Sequence, residues 1–208
     1  MTADDFDFKI ATFYNNNIPQ SLVKAQKAVF DKFEIPIEQI LTCLPHPDAI
    51  DHYIENNQFD VLIIFDIDCI PLTKKLIAEA VRVVTETDCI YGAVQNANHI
   101  EATADYASPA FMCFSRRTFK LIGSPSFKPT QRADVGAELT YRAIEENINV
   151  KFLRIAEVDV PLWKLSDGTM FGYGTNYDNK VFHAFESSKS HKSKAIFIKK
   201  CMEILSKY

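Results

Sequence analysis

The sequence has no C-x-x-C pair: its five cysteines, Cys43, Cys69, Cys89, Cys113 and Cys201, are odd in number and scattered over 208 residues. That spacing excludes a pinched zinc site or a redox couple and fits free, mostly buried thiols in a reducing compartment. Basic charge is also short. With 23 Lys and Arg against 27 Asp and Glu the formal net charge is -4, so no basic stripe is available to displace counterions from a phosphate backbone, and nucleic acid is not an expected partner. The longest wholly aliphatic or aromatic run near the middle, Val61 to Phe65, falls far below a membrane span. The first residues, Met1-Thr2-Ala3-Asp4-Asp5, are acidic where a secretory or mitochondrial leader is basic. The expectation is a cytoplasmic protein with no transmembrane segment, touching a membrane only at its periphery. Internal repeats and low-complexity tracts are missing, and Gly168, Gly172 and Gly174 lack the strand-to-helix context of a phosphate-cradling loop.

What is present is core-forming material. The chain is 47% hydrophobic and 24% charged, with 16 Phe and 8 Tyr, enough for one well-packed domain. Short apolar runs alternate with segments of helical period, the pattern of a mainly parallel sheet flanked by helices. Strands are expected at Phe8–Tyr14, Glu34–Leu44, Val61–Phe65, Cys89–Val94, Phe111–Phe114 and Val150–Val158. Helices are expected at Pro19–Phe33, Ala49–Asn56, Leu72–Val84 and Asp134–Glu146, with Ser190–Tyr208 closing the chain and turning Ile198, Cys201, Met202 and Leu205 inward. Its lysines, Lys189, Lys192, Lys194, Lys199 and Lys200, fit a solvated face. Long irregular stretches at Gln95–Pro109 and Ser124–Ala133 have the length of functional loops.

The most informative stretch is Val61-Leu62-Ile63-Ile64-Phe65-Asp66-Ile67-Asp68-Cys69-Ile70-Pro71-Leu72. A buried strand ends in two carboxylates with period-two spacing, which in an extended chain places both side chains on one side. They fall at the carboxyl edge, where open α/β sheets bind ligands. Two anions together at an apolar edge raise each other's pKa unless a cation intervenes, so a divalent metal explains them economically. Oxygen ligands suit Mg2+ or Mn2+, whose shells are completed by phosphate and water. The plainer reading makes one Asp a helix cap and the other a solvated turn residue.

With this motif the chain resembles the GT-A glycosyltransferases, and the resemblance covers most of it in order. Phe8 to Asn15 is similar to their first strand and nucleotide-contacting turn, and Phe65 to Leu72 to their D-x-D. Phe111 to Gly123, including Phe114-Ser115-Arg116-Arg117-Thr118-Phe119, resembles the strand and helix on their acceptor side. Asp134-Val135-Gly136-Ala137-Glu138-Leu139-Thr140-Tyr141-Arg142 is similar to the acidic helix start that supplies the base in inverting members, and Val181-Phe182-His183-Ala184-Phe185 to the segment whose His completes the metal shell.

The resemblance implies a single GT-A domain: residues 1–94 a nucleotide and metal half, 95–189 an acceptor and catalytic half, 190–208 a terminal helix. It implies Mn2+ or Mg2+ held by Asp66, Asp68 and His183. Thr12, Phe13, Tyr14, Asn15, Asp66 and Ile67 would bind the nucleotide-diphosphate sugar, and Asp134 or Glu138 would be the catalytic base for a glycan or glycoconjugate acceptor, with inversion. From the residues alone, Asp134 also suits a helix cap, His183 a packed core position, and Trp163 either sugar stacking or core packing. The glycines at 168, 172 and 174 would allow a closing lid. Two other classes compete. A haloacid-dehalogenase-type phosphatase also ends a strand in D-x-D, but Cys69-Ile70 stand where that family has Gly-Thr; a binding module would keep the metal site without turnover.

Overall fold

Every residue of Val61–Phe65 is buried, and strand alternation sends Val61, Ile63 and Phe65 into one core and Leu62 and Ile64 into another. That strand lies at the middle of the chain's computed structural model, which describes residues 6–101 and 104–207. In chain order the first half runs β1 (Phe8–Tyr14), α1 (Gln20–Lys32), β2 (Glu38–Leu41), α2 (His46–Asn56), β3 (Val61–Phe65), β4 (Cys69–Pro71), α3 (Leu76–Thr87) and β5 (Ile90–Gln95). The second half adds β6 (Tyr106–Ser115), α4 (Arg116–Leu121), α5 (Ala137–Glu145), β7 (Val150–Leu153), β8 (Ile155–Lys164), β9 (Met170–Tyr177), β10 (Val181–His183) and α6 (His191–Ser206).

The central sheet has the order β2-β1-β3-β6-β5-β7. Its members pair in parallel except at β6, which runs antiparallel to both neighbours, β3 and β5. Helices α1, α3 and α6 fill one face through Phe30, Val81 and Phe197. Helices α2, α4 and α5 fill the other through Ile50, Phe119 and Leu139. This is the expected α/β architecture, a single domain with a mainly parallel sheet between helices. No helix among the described residues is long and apolar enough to cross a membrane.

A second sheet, β4-β10-β9-β8, is antiparallel throughout and was not foreseen. It changes several local expectations. Val150–Val158 divides at Arg154 into β7, which joins the central sheet, and β8, which leaves it. Pro71 does not open a helix. It ends β4, opposite Val181, where a missing N–H is tolerated, and α3 starts at Leu76. The glycine-containing segment is no lid: Gly172 and Gly174 lie inside β9, where Gly172 pairs with Pro161 of β8. The irregular stretch after Gln95 is shorter than expected because β6 begins at Tyr106.

Two further corrections follow from direction and phase. Because β6 runs antiparallel, Ser115 faces Val61 while Phe111 faces Phe65, so α4 sits at the sheet's opposite edge from Asp66 and cannot line an acceptor site there. In α6 the inward residues are Ser193, Phe197, Cys201 and Ile204; Met202 is 64% exposed and Leu205 is also exposed. Two apolar stripes lie side by side on that helix, and the stripe carrying the ring of Phe197 is the one that meets α1.

Candidate functional site

Asp66, Ile67 and Asp68 form a tight turn between β3 and β4, with the Cys69 N–H donating to the Asp66 carbonyl at 3.0 Å. The two carboxylates share one side through this turn rather than through an extended strand. The buried amide of Gln26 on α1 fixes the turn by donating to the carbonyls of Asp66 at 2.7 Å and Cys69 at 3.0 Å. On the far side, β10 pairs with β4 so that His183 faces Cys69, and this register brings the imidazole to the acids. His183 Nε2 lies 3.2 Å from Asp68 Oδ1 and 3.8 Å from Asp66 Oδ2. One ligand atom from each of the three lies within 4.8 Å of the others.

The two acids have different surroundings. Asp68 is 6% exposed, and burial alone would raise its pKa. The His183 imidazole beside it overcomes this, together with hydrogen bonds from His183, the Ser187 hydroxyl at 2.7 Å and the Ser187 N–H at 3.0 Å, and the pKa is brought down to about 2. Asp66 keeps 29% of its side chain exposed, and among the described residues its carboxylate is met by two imidazoles, His46 at 3.4 Å and His183 at 3.8 Å. Packing in the cleft pushes its pKa up, His46 and His183 oppose the rise, and the Asp68 charge adds to it.

Two carboxylates and an imidazole are a donor set that can hold a divalent cation. His183 turns Nε2 to the acids, and its Nδ1 is buried with no hydrogen-bond partner among the described residues. The ring is held instead by Phe185, tilted over it at 35° with 3.8 Å between centroids.

Asp66, Ile67 and Asp68 line a cavity of about 380 Å³ with Phe13, Tyr14 and Asn15. Thr12, expected with them, is fully buried on the sheet's inner face and is not on that cavity; alternation along β1 turns it away from Phe13. Phe13 packs edge-on against Tyr53 and His46. Residues that the sequence did not assign to the site also reach this space: His46 at the start of α2, Glu186 and Ser188 after β10, and Lys189, which was expected on a solvated face. The signal for the last three was the polar run Glu186-Ser187-Ser188-Lys189 that follows Phe185. For His46 there was none beyond its being a histidine.

Asp134 lines a neighbouring cavity of about 460 Å³ together with Tyr106, Trp163, Phe171, Phe185 and Glu186. It precedes α5 rather than capping it, since Gly136 in the left-handed region is the residue before the helix. Its carboxylate accepts from Val135 N at 2.7 Å and Tyr106 Oη at 3.3 Å; burial, reinforced by Asp134, pushes the Tyr106 phenol well above its usual pKa. Trp163 packs against Phe171, Phe185 and Tyr173 and also borders this cavity, so both of its anticipated roles have a geometric basis.

Glu138 does not join either cavity. In the first turn of α5, it is gripped by Arg132 through two hydrogen bonds, at 2.5 and 3.1 Å, and by Arg142 at 3.2 Å. The Arg132 hydrogen bonds hold its pKa low, and a carboxylate so paired is a poor base. Glu138 is therefore withdrawn as a candidate base.

No protein-family profile and no curated protein sequence matches this chain. Among solved structures it is similar to the mannosyltransferase PcManGT from Pyrobaculum calidifontis, in complex with GDP-Man and Mn2+, at 12% identity and a TM-score of 0.51. The alignment covers 71% of this chain and 54% of that one, so the chain spans about half the length of that structure. A protein of STIV, A197, aligns over 78% of this chain and 93% of its own at 12% identity, with a TM-score of 0.42 that carries no weight. At these identities the likeness establishes a shared fold: a mixed α/β domain similar to a glycosyltransferase structure.

Proposed function

We propose that this chain is a metal-dependent glycosyltransferase that moves a sugar from a nucleotide-diphosphate sugar to a hydroxyl of a glycan or glycoconjugate. The convergence of Asp66, Asp68 and His183 at the carboxyl edge of β3, with both acids on the cavity bordered by Phe13, Tyr14 and Asn15, carries the reading. A Mn2+ or Mg2+ ion held by those three side chains would neutralise charge on the departing diphosphate. Lys189, on the same cavity, places a second positive charge on the protein side. Tyr14, Asn15 and Ile67 bound the space for base and ribose, with Phe13 as its packed wall.

Asp134 is the carboxylate of the adjoining cavity and takes the role of base. It accepts the proton of the acceptor hydroxyl, whose oxygen bonds to the anomeric carbon. The bond from that carbon to the diphosphate breaks, and its electron pair leaves with the diphosphate. Attack from the cavity opposite the leaving group gives inversion. In this reading residues 1–94 supply the donor half and 95–189 the acceptor half, with 190–208 as a closing helix; the two halves meet at the segment from His183 to Lys189.

A thermal-shift panel of nucleoside diphosphates and their sugar derivatives, with and without Mn2+, tests the reading. Stabilisation by one diphosphate and metal together, larger than by either alone, is expected by mass action, and turnover of the matching sugar nucleotide should follow. Phosphate release from simple esters, abolished by Asp66→Ala, would mark a phosphatase instead. Metal-dependent binding without turnover would mark a binding module.

A further inference from the structure

Among the described residues Glu186 is the one that lines both cavities, the one bearing the acids and the one bearing Asp134. We infer that its carboxylate binds hydroxyls of the sugar being transferred, at the point where donor and acceptor spaces meet. This deepens the glycosyltransferase reading and rests on it.

The backbone around Glu186 is built about the Asp68 carboxylate. The Ala184 N–H donates to the Asp68 carbonyl at 3.0 Å, and Ser187 donates to Asp68 Oδ2 through both its N–H and its hydroxyl. Phe185 is pinned by His183 on one side and by Trp163 and Phe171 on the other. Between these anchors Phe185 and Glu186 both take left-handed conformations, φ +58° and +47°. Side chains other than glycine rarely adopt them, and such outliers persist where surrounding structure over-determines them. A glycine or asparagine would fit this turn with less strain, so the turn itself does not call for a glutamate. The carboxylate is also oriented, because Tyr173 Oη donates to Glu186 Oε2 at 3.1 Å.

Chemistry then selects what it can bind. A carboxylate accepts hydrogen bonds and does not donate them. Phosphate oxygens are acceptors too and carry like charge, so beside a diphosphate Glu186 is repelled. Hydroxyl donors are what it attracts, and in a sugar nucleotide held by its diphosphate at the acids the hexose is the part that reaches the second cavity. The plainer alternative is a solvated glutamate on an exposed turn, which predicts no effect on ligand choice.

The test is calorimetric titration of the full chain with Mn2+ and the pairs GDP and GDP-mannose, UDP and UDP-glucose, using wild type, Glu186→Gln, Glu186→Ala and Tyr173→Phe. The quantity read is the ratio of the two dissociation constants within the pair that binds. In the Glu186 variants the ratio should shift against the sugar nucleotide by about ten- to a hundredfold, the loss expected for a hydrogen bond to a charged group, while the bare diphosphate stays within about twofold. Tyr173→Phe should shift it in the same direction by less. An unchanged ratio, or equal weakening of both members, overturns the inference and leaves the donor reading standing. If wild type binds no diphosphate with Mn2+, the donor reading fails and this inference falls with it.

Discussion

Replacing Asp68 by asparagine separates a metal ligand from a structural anchor. Three hydrogen bonds converge on the carboxylate, from His183 Nε2, Ser187 N and Ser187 Oγ. Asparagine keeps the volume and an acceptor oxygen but loses the charge assistance, about 1 kcal/mol per bond. Relief from burying a charge offsets part of this, leaving a net loss of roughly 1–3 kcal/mol in the metal-free protein. For a domain of this size that lowers Tm by about 2–12 °C. The folded-state pKa of Asp68 lies below its ordinary 3.8, at about 2. Its stabilisation is therefore complete above the unfolded value and lost as pH falls through the folded one, so the gap between wild type and variant should narrow below about pH 4 and close near about pH 2. Metal distinguishes the two roles. At a hundredfold excess over its dissociation constant Mn2+ adds about 2.7 kcal/mol to a protein that binds it only when folded, or about 5–11 °C. Thermal denaturation followed by circular dichroism in EDTA and in MnCl2 should show that rise in wild type and little in Asp68→Asn. An equal rise in both would refute the assignment of Asp68 as a ligand.

Asp134→Asn should leave the affinity for nucleoside diphosphate and Mn2+ unchanged while transfer, followed by release of the diphosphate, drops by about 10²–10⁴-fold. Arg132→Ala removes two of the hydrogen bonds on Glu138 and should cost about 1–2 kcal/mol in urea denaturation, with no change in nucleotide binding, because Glu138 lies outside both cavities. At Gly92, where the β5–β6 register shifts, an added Cβ would meet the Phe111 carbonyl oxygen at 2.8 Å and Ala107 Cβ at 2.9 Å. Gly92→Ala should therefore destabilise by about 1–3 kcal/mol, as overpacked cores do, read from the same denaturation curves.

The sequence exposed those features whose cause is local. An all-apolar pentapeptide becomes a strand buried on both faces, as Val61–Phe65 does, and the three-to-four spacing of Leu22, Gln26, Val29 and Phe30 becomes the inner face of α1. The second sheet was hidden because its defining pair, Cys69 opposite His183, joins residues far apart in the chain, and such pairing leaves no mark in either segment alone. Strand direction was hidden for the same reason, which is why α4 was expected on the acceptor side. Within the site, the acids and His183 were visible as residue types, but the arginines that disqualify Glu138 and the serine that clasps Asp68 are matters of packing. Where two apolar stripes compete on one helix, as on α6, only the neighbouring helix decides.

Asp66 provides the sharper argument for a cation, because a structural role does not account for it. Asp68 earns its burial through three donors, whereas Asp66 has two imidazoles at 3.4 and 3.8 Å and no hydrogen bond to its carboxylate from the described residues. Its pKa is raised by packing and by Asp68, so at neutral pH its charge disfavours the folded state. That cost disappears only as pH falls below the unfolded value, where the group is protonated in both states. Asp66→Asn should accordingly stabilise the metal-free protein at pH 7, by about 0.5–2 kcal/mol, the range found when a functional liability is removed, and the gain should shrink as pH falls towards 4. In MnCl2 the order should reverse, since wild type gains the ion and the variant loses a ligand. Neighbouring acids would then respond with opposite signs to the same conservative change, which a pair of solvated turn residues would not do. A destabilised Asp66→Asn protein in EDTA would show that Asp66 is held for the fold, and the case for a cation at this turn would lose its main support.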